Sequence, residues 1–200
     1  MSILSLTAFL LLAGLNWVAV ARADKPLEQL VKPAALAALL LYAGAGAGPS
    51  GWLIAALVLS LLGDVYLMLP GDCFKAGLSA FLLAHVAYIA DFEISPAARI
   101  GWLIVVAVLS APLTLRITRA VAQPSLRAAV VLYIAVIALM VASAFASGRP
   151  LAALGALLFF ASDGIIAWNR FVHPLAWAQP TIMVTYHLGQ LGLVAVLRAG

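Results

Sequence analysis

Residues 60–92 read SLLGDVYLMLPGDCFKAGLSAFLLAHVAYIADF, two apolar runs of helix length on either side of a Pro70-Gly71 break. Together with the residues before position 60, each run approaches the roughly 20 residues that a helix needs to cross a bilayer. Asp64 lies inside the first run, where an ionisable side chain is costly and is usually buried, paired and functional. The stretch therefore predicts a membrane hairpin that carries a reactive carboxyl group.

A second stretch repeats this pattern. Residues 157–171 read LLFFASDGIIAWNRF, with Asp163 in an apolar run that we expect to end near Asn169. Asp64 and Asp163 each precede the expected end of their helix by six residues, which places both carboxyl groups roughly 9 Å inside it. Two carboxyl groups at matching depth suggest one reacting site.

The composition supports a membrane location for the whole chain. Of the 200 residues, 66% are hydrophobic and 9% are charged, and the mean hydropathy is +1.16. So few charges could not cover the surface of a soluble domain of this size. We therefore expect residues 1–200 to form a single polytopic transmembrane domain of the all-α class.

The charges and the single cysteine add further limits. The net charge of +4 is scattered over short loops, which indicates topology and contact with membrane lipid rather than nucleic-acid binding. Cys73, as the single cysteine, excludes an internal disulfide. We expect the apolar N-terminal run to be retained as the first helix, because it lacks a basic n-region and is longer than an ordinary signal sequence.

Eight segments of spanning length can be placed along the chain, and the fifth is the shortest because Pro112 interrupts it. None of them shows the period-two alternation of an outer-membrane barrel. The predicted helices are 3–21, 30–47, 51–69, 75–92, 100–115, 128–147, 150–168 and 180–198.

Basic residues predict the orientation, because cytoplasmic loops carry an excess of Lys and Arg. Loops one, three, five and seven hold eight basic residues, and the other side holds three (Arg99, Arg149 and Arg198). We therefore expect the odd-numbered loops in the cytoplasm and both termini outside, in what we take to be a bacterial inner membrane. The eight are Arg22, Lys25, Lys32, Lys75, Arg116, Arg119, Arg127 and Arg170.

Polar side chains gather in the same half of the predicted bundle as the two aspartates, and the outer halves are nearly aliphatic. This predicts one polar cavity open to the inner leaflet or the cytoplasm. Hydrogen-bonded packing between membrane helices is the simpler explanation for several of them. The candidate substrate-binding residues are Lys32, His85, Tyr88, Tyr133, Asn169, Arg170, Tyr186, His187 and Gln190.

Lys32 and Arg170 have a more specific possible role, since both lie at the rim of the predicted cavity and could meet a phosphate head group. We expect the acidic residues of loops and helix ends, including Glu28, Asp72 and Asp91, to be solvated.

The two halves of the chain could be related by duplication. An aspartate in helix three or seven is followed by a histidine, His85 or His187, in helix four or eight. A four-plus-four repeat would be parallel, because an even number of helices preserves the topology. Such symmetry would bring Asp64 and Asp163 together near a common axis.

The residue types favour acid–base chemistry. Burial disfavours a charged carboxylate, and two adjacent carboxyl groups can hold one proton between them near neutrality. One group can then act as a general acid while the other activates water. The sequence lacks GxSxG, HExxH and a phosphate-binding glycine loop.

Two other functions remain open at this point. The three histidines (His85, His173 and His187) and the two aspartates could in principle bind zinc in a membrane hydrolase. The aspartates could instead couple protons to movement in a small transporter or a lipid-binding membrane protein.

Several stretches resemble the YhhN-like family of membrane proteins, the lysoplasmalogenases. These are LVKPAAL (30–36), the stretch from 59 to 92 quoted in part above, FFASDGIIAWNRF (159–171) and MVTYHLGQLGLV (183–194). The resemblance covers essentially the whole chain, in the expected order. The GD…LMLP…H…Y and SD…N.F patterns are together quite specific, although either alone would be weak.

The resemblance implies eight transmembrane helices and hydrolysis of the vinyl-ether bond of lysoplasmalogens. The products would be a fatty aldehyde and glycerophosphoethanolamine or glycerophosphocholine. It also implies that Asp64 and Asp163 are catalytic, that a lysophospholipid is the substrate, and that no metal or organic cofactor takes part. We expect the tail of the substrate to lie in the apolar outer half of the bundle.

Overall fold

The computed structural model describes residues 2–198, and within them it contains eight α-helices and no strands, which confirms the predicted all-α class. All eight are long and apolar enough to cross a membrane. They are α1 (Ser2–Ala21), α2 (Lys25–Gly44), α3 (Gly51–Met68), α4 (Phe74–Asp91), α5 (Pro96–Ala120), α6 (Pro124–Ala146), α7 (Pro150–Phe171) and α8 (Ala178–Leu197).

Some predicted boundaries were wrong, and α5 differs most. It runs for 25 residues and is the longest of the eight rather than the shortest. Pro96 occupies its first turn, after the N-cap Ser95, where the fixed φ of proline suits a helix and no backbone donor is lost. Pro112 lies within the helix without ending it, as membrane helices allow. Helices α2 and α6 likewise begin earlier than predicted, with a proline in the first turn of each.

The helices pack mainly as a closed ring. Each contacts the next in the order α1, α2, α3, α4, α6, α7, α8 and back to α1. Helix α5 lies outside this ring, against α6 and the edge of α7. Within α5, which is described in full, Ile117 is the one buried residue. It belongs to a small cluster with Val121 and Val130 that is separate from the main core.

The contacts follow the same order in the two halves of the chain. Helix α1 packs on α2, α2 on α3 and α3 on α4, as α5 does on α6, α6 on α7 and α7 on α8. Between the halves, α2 contacts α8 and α6 contacts α4. This is the pattern that a four-plus-four duplication would give. One difference is that α1 also packs on α8, whereas α5 has no comparable contact with α4.

The α7–α8 hairpin depends on glycine at its closest approach. A Cβ atom on Gly155 would lie 2.8 Å from the backbone nitrogen of Leu193, and one on Gly189 would lie 2.8 Å from that of Phe159. Small residues let membrane helices approach this closely. The close packing fixes the positions of α7 and α8, which carry Asp163 and Tyr186.

The depths of the two aspartates differ from the prediction because the helix ends differ. Asp64 precedes Met68, the last residue of α3, by four residues, and Asp163 precedes Phe171, the last residue of α7, by eight. These separations correspond to about 6 Å and about 12 Å along the helix axes. We refer to the end of the bundle at which α3 and α7 end as the Pro70 end. Its assignment to the cytoplasm remains a prediction.

Candidate active site

Both aspartates line one cavity near the Pro70 end. The cavity has a volume of about 360 Å³ and is bounded by residues of α2, α3, α4, α7 and α8. Asp64 is buried, and the side chain of Asp163 is 13% exposed. The predicted polar cavity therefore brings together two aspartates from distant parts of the chain. We refer to it below as the polar cavity.

Asp64 is held by a buried cation and a phenol. The Nζ atom of Lys32 lies 3.0 Å from Oδ1 of Asp64. The hydroxyl of Tyr186 donates a hydrogen bond of 2.8 Å to Oδ2. All three side chains are buried. Lys32 is paired with Asp64 rather than standing free at the rim, so a substrate phosphate would have to share its ammonium group with this carboxylate.

Asp163 has different neighbours. The hydroxyl of Tyr133 donates a hydrogen bond of 2.6 Å to Oδ2 of Asp163. The Nε2 atom of His85 lies 3.7 Å from the same oxygen, just beyond hydrogen-bonding distance. Among residues 2–198, no Lys or Arg forms an ion pair with Asp163. Two carboxyl groups of one cavity thus differ in their charge environment.

Aromatic side chains pack against two of the polar residues beside the aspartates. The ring of Phe159 packs edge-on against His85 and Tyr186, with centroid distances of 4.8 and 5.4 Å. Phe81 packs edge-on against both Phe159 and Tyr186. These contacts hold His85 and Tyr186 in place, and Phe81 adds an apolar ring to the cavity lining.

Two of the predicted residues stand behind Tyr186 and are absent from the cavity lining. The Nε2 atom of Gln190 donates to the hydroxyl of Tyr186 at 3.4 Å. The hydroxyl of Tyr88 donates to Oε1 of Gln190 at 2.5 Å. Gln190 and Tyr88 can therefore orient Tyr186, and through it Asp64, without contacting a molecule in the cavity.

The rim residues Asn169 and Arg170 do line the polar cavity, but both have protein partners. Oδ1 of Asn169 accepts a hydrogen bond of 2.7 Å from the backbone nitrogen of Leu175. Nη2 of Arg170 donates to both carboxylate oxygens of Asp72, at 2.9 and 2.8 Å. The guanidinium also lies 3.8 Å from the centre of the Phe74 ring. Arg170 is more than a third exposed and is the more accessible of the two predicted phosphate contacts.

His187 lies on another side of α8, facing α1. Its Nδ1 accepts a hydrogen bond of 3.0 Å from the indole of Trp17, and Phe9 packs edge-on against it. It is absent from the lining of the polar cavity, unlike most of the other predicted site residues. Adjacent helical residues point about 100° apart, so Tyr186 and His187 could not both face the cavity. Helical spacing did not show which of the two does.

Sequence reasoning missed Glu28. We expected it to be solvated, but it is buried, pairs with Lys25 at 2.8 Å and lines the polar cavity. An acidic residue in the first turn of a helix is common, so nothing in the sequence marked this one. Asp91 is also partly buried, and it accepts a hydrogen bond from Ser50.

Within residues 2–198, no three His, Cys, Asp or Glu side chains gather as a metal site would need.

Within residues 2–198, eight membrane-length helices, five of which bound a polar cavity that brings two aspartates together, define a multi-pass membrane protein. The sequence model of the YhhN family matches residues 27–197, so the chain belongs to the YhhN family.

Curated relatives carry a common name. The chain is similar to lysoplasmalogenase TMEM86B of Mus musculus, at 32% identity over 94% of this chain and 84% of the relative. Lysoplasmalogenase TMEM86B of Homo sapiens is 34% identical over 78% of this chain and 67% of its own length. A lysoplasmalogenase of Mycobacterium tuberculosis is 35% identical over 68% of this chain and 57% of its own length. No solved structure matches this chain.

Proposed function

We propose that this protein is a lysoplasmalogenase, an enzyme that hydrolyses the vinyl-ether bond of a lysoplasmalogen. The products are a fatty aldehyde and glycerophosphoethanolamine or glycerophosphocholine. Membership of the YhhN family and the names of its relatives support this assignment. The observation that carries the chemistry is the shared cavity, in which Asp64 is paired with a cation and Asp163 is not.

The different neighbours suggest different roles for the two carboxyl groups. The ammonium group of Lys32 favours the charged form of Asp64, because an opposite charge at this distance stabilises a carboxylate. Asp163 has no such cation among the described residues, and it faces a second carboxyl group across the same cavity. We therefore assign Asp163 as the general acid and Asp64 as the carboxylate that activates water.

The reaction then follows from these roles. Asp163 donates a proton to the outer carbon of the vinyl ether, the C=C π bond breaks, and an oxocarbenium ion forms at the ether carbon. The charge of Asp64 stabilises this cation, which is where preorganised electrostatics contribute most to a rate. Water adds to the cation as Asp64 takes up its proton. The C–O bond of the resulting hemiacetal then breaks: the glycerol oxygen receives the proton from Asp64, and the hemiacetal hydroxyl gives its proton to Asp163. This releases the aldehyde and the glycerol hydroxyl and restores both carboxyl groups.

Neighbouring side chains position the two carboxyl groups. Tyr133 fixes one oxygen of Asp163, and His85 stands close enough to assist in returning its proton. Lys32 and Tyr186 fix both oxygens of Asp64. The polar head group would occupy the outer part of the polar cavity, near Arg170 and Asn169. Zwitterionic head groups suit this rim because its cations stand beside acids, Lys25 with Glu28 and Arg170 with Asp72.

The location proposed for the enzyme is the bacterial inner membrane, with the Pro70 end in the cytoplasm. All 200 residues are proposed to form one transmembrane domain. Membrane lipid would surround it, and the lysophospholipid substrate would reach the cavity from the leaflet on that side. No metal is assigned a step.

The direct test measures aldehyde release from lysoplasmenylethanolamine by purified protein in detergent. Asp163→Asn and Asp64→Asn should each lower kcat by at least about 10²-fold, the usual scale of a lost general acid or base. Glu93→Gln is the control, because its carboxylate is exposed and lies outside the cavity lining. Full turnover by a folded Asp163→Asn or Asp64→Asn variant would refute the assignment. Loss of activity after chelation, with recovery on adding zinc, would favour a metal hydrolase instead.

One observation favours a second function. Hydrogen bonds connect Asp64, Tyr186, Gln190 and Tyr88 into a buried chain along the bundle. A buried aspartate at the end of such a network could couple protons to solute movement in a small transporter. Proteoliposomes that carry a pH-sensitive dye would show proton uptake coupled to a solute if this were the function. A lysoplasmalogenase without transport activity would show no proton uptake coupled to a solute.

A further inference from the structure

A second cavity adjoins the polar cavity and is almost wholly apolar. Residues of α3, α4, α5, α6 and α7 line it, and the polar side chains among them are Thr114, Tyr133 and Asp163. Its volume is about 60 Å³, compared with about 360 Å³ for the polar cavity. We refer to it as the chain groove. Apolar walls suit a hydrocarbon rather than a charged group. The free volume is below the roughly 300 Å³ of usual ligand sites, so a whole chain fits only if α5, the least buried helix, moves outward.

The chain groove meets the polar cavity at Asp163. Both cavities share this residue and four apolar neighbours, Leu67, Phe74, Phe81 and Ile166, whereas Asp64 belongs to the polar cavity alone. The carboxyl group that lacks a cationic partner therefore stands at the boundary between a polar and an apolar compartment. A bond that joins a polar group to a hydrocarbon chain would lie at this boundary if each part occupied its matching compartment.

The groove lies where the two halves of the fold differ. In the first half, α1 packs on α8, and Phe9 and Trp17 cover His187. In the second half, α5 lies against α6 and α7 and leaves α4 without comparable contacts. His85, the counterpart of His187, faces Asp163 instead. The position that α1 fills in one half is thus left open in the other.

The groove extends along the helices. Its lining on α7 runs from Phe160 to Phe171, which is about 16 Å at 1.5 Å per residue. Helix α5 forms its outer wall through Leu113, Thr114 and Ile117. This helix is the least buried of the bundle, with large apolar side chains such as Leu109 exposed on its other face. A chain in the groove is therefore separated from the surrounding lipid by a single, loosely packed helix.

From this geometry we propose that the chain groove binds the single alkenyl chain of the lysophospholipid and sets the chain length that the enzyme accepts. The inference rests on the proposed function, which supplies the substrate. The vinyl carbons lie beside Asp163, the chain follows α5 and α7, and the glycerol and head group remain in the polar cavity. From the sequence, we expected the tail of the substrate to lie in the apolar outer half of the bundle. The chain groove instead lies along the half that contains the aspartates.

The first test narrows the groove from α5. Thr114→Trp places a large side chain in it, and Leu115→Trp places the same side chain on the exposed face of the same helix. The measurement is kcat/KM for aldehyde release from a short-chain and a long-chain lysoplasmenylethanolamine. Thr114→Trp should lower the long-chain to short-chain ratio by about tenfold or more, since pocket contacts with a few methylenes discriminate on this scale. Leu115→Trp should leave the ratio within about twofold of the wild type.

A second variant protects this test against misfolding. Ile134→Trp narrows the groove from α6, so it should change the same ratio in the same direction. A loss that is equal for both chain lengths, or an unchanged ratio in both folded variants, would overturn the proposal.

A binding measurement separates the groove from the reaction. The probe is an alkyl-ether lysophosphatidylethanolamine with a photoreactive diazirine at the end of its chain, which cannot undergo vinyl-ether hydrolysis. Mass spectrometry of the labelled wild type should find adducts on groove residues of α5, α6 or α7, and Thr114→Trp should reduce them.

The combined outcomes are distinguishable. Adducts in the groove without aldehyde release by the wild type would leave the chain site standing and refute the proposed function. Aldehyde release with adducts confined to the lipid-facing surface would support the function and overturn the groove as the chain site.

Discussion

Asp64 and Asp163 are identical side chains in similar apolar helices, yet their neighbours separate them chemically. Lys32 stands 3.0 Å from Asp64, whereas the nearest assigned partners of Asp163 are a phenol at 2.6 Å and a histidine at 3.7 Å. The contrast arises because each aspartate contacts two other helices, α2 and α8 for Asp64 and α6 and α4 for Asp163. Residue-scale predictions concern these partners.

The buried Lys32–Asp64 pair should contribute strongly to stability. Lys32→Met leaves an uncompensated carboxylate in the core, which usually costs about 3–5 kcal/mol. Thermal or denaturant unfolding in detergent would measure the loss. Lys75→Met is the control, because Lys75 is exposed and forms no ion pair within the described residues, so its loss should change stability by at most about 0.5 kcal/mol.

A double variant tests the cause of this loss. Lys32→Met combined with Asp64→Asn removes both charges and should recover much of the lost stability, because the two residues interact directly. If the double variant were as unstable as the sum of the two single variants, the ion pair would not be the source of the effect.

Tyr133 should affect the reaction more than the fold. Tyr133→Phe removes the hydrogen bond to Asp163 while keeping the ring, so we expect kcat to fall about tenfold or more with little change in KM. Aldehyde release at several substrate concentrations measures both constants. Tyr66→Phe is the control, because Tyr66 is exposed on α3 and outside both cavities. A lowered affinity with an unchanged kcat would instead assign Tyr133 to substrate binding.

At the scale of elements, the α7–α8 hairpin and α5 represent opposite kinds of packing. The hairpin has backbone-to-backbone contacts that glycine alone permits, and α5 has one buried residue along 25. Close packing holds Asp163 and Tyr186 in fixed positions, and loose packing leaves room for the chain groove. The hairpin is therefore the element that should tolerate substitution least.

Gly155→Ala should destabilise the protein by about 1–3 kcal/mol, the usual cost of overpacking. The added Cβ atom would approach backbone atoms of α8 that cannot move aside independently. Unfolding in detergent provides the measurement, and Gly101→Ala in α5 is the control because nothing lies within 4 Å of the corresponding Cβ position. Equal stability of the two variants would show that the hairpin can relax.

At the scale of the whole molecule, the even number of helices places both termini on one side of the membrane and the Pro70 end on the other. The eight-to-three distribution of basic residues predicts that the Pro70 end is cytoplasmic. The polar cavity would then receive its substrate from the inner leaflet.

Cysteine labelling in intact cells tests this orientation. In a Cys73→Ser background, a cysteine at Gly48 should react with a membrane-impermeant maleimide from outside. A cysteine at Pro174 should react only after permeabilisation. The reverse pattern would invert the topology and place the polar cavity at the outer face.

The sequence alone was sufficient for the class, the number of helices and the placing of Asp64 and Asp163 in one cavity. Its apolar runs are long enough to cross a bilayer, and charges within them are rare enough to mark a site. It predicted the ends of α5 poorly, because a proline in the first turn of a helix looks like a break until the N-cap is seen. It also named Tyr133 and Tyr186, in the same half of the bundle as the aspartates, and His85, nearer the midplane, as candidate site residues.

Tertiary structure alone decided how those residues are paired. Which carboxyl group Lys32 neutralises depends on how α2 packs against α3, and which side of α8 faces the cavity separates Tyr186 from the neighbouring His187. The chain groove likewise exists because α5 packs outside the ring while its counterpart α1 completes it. Hydropathy records how well a segment suits lipid, and it carries no information on which neighbour a helix meets.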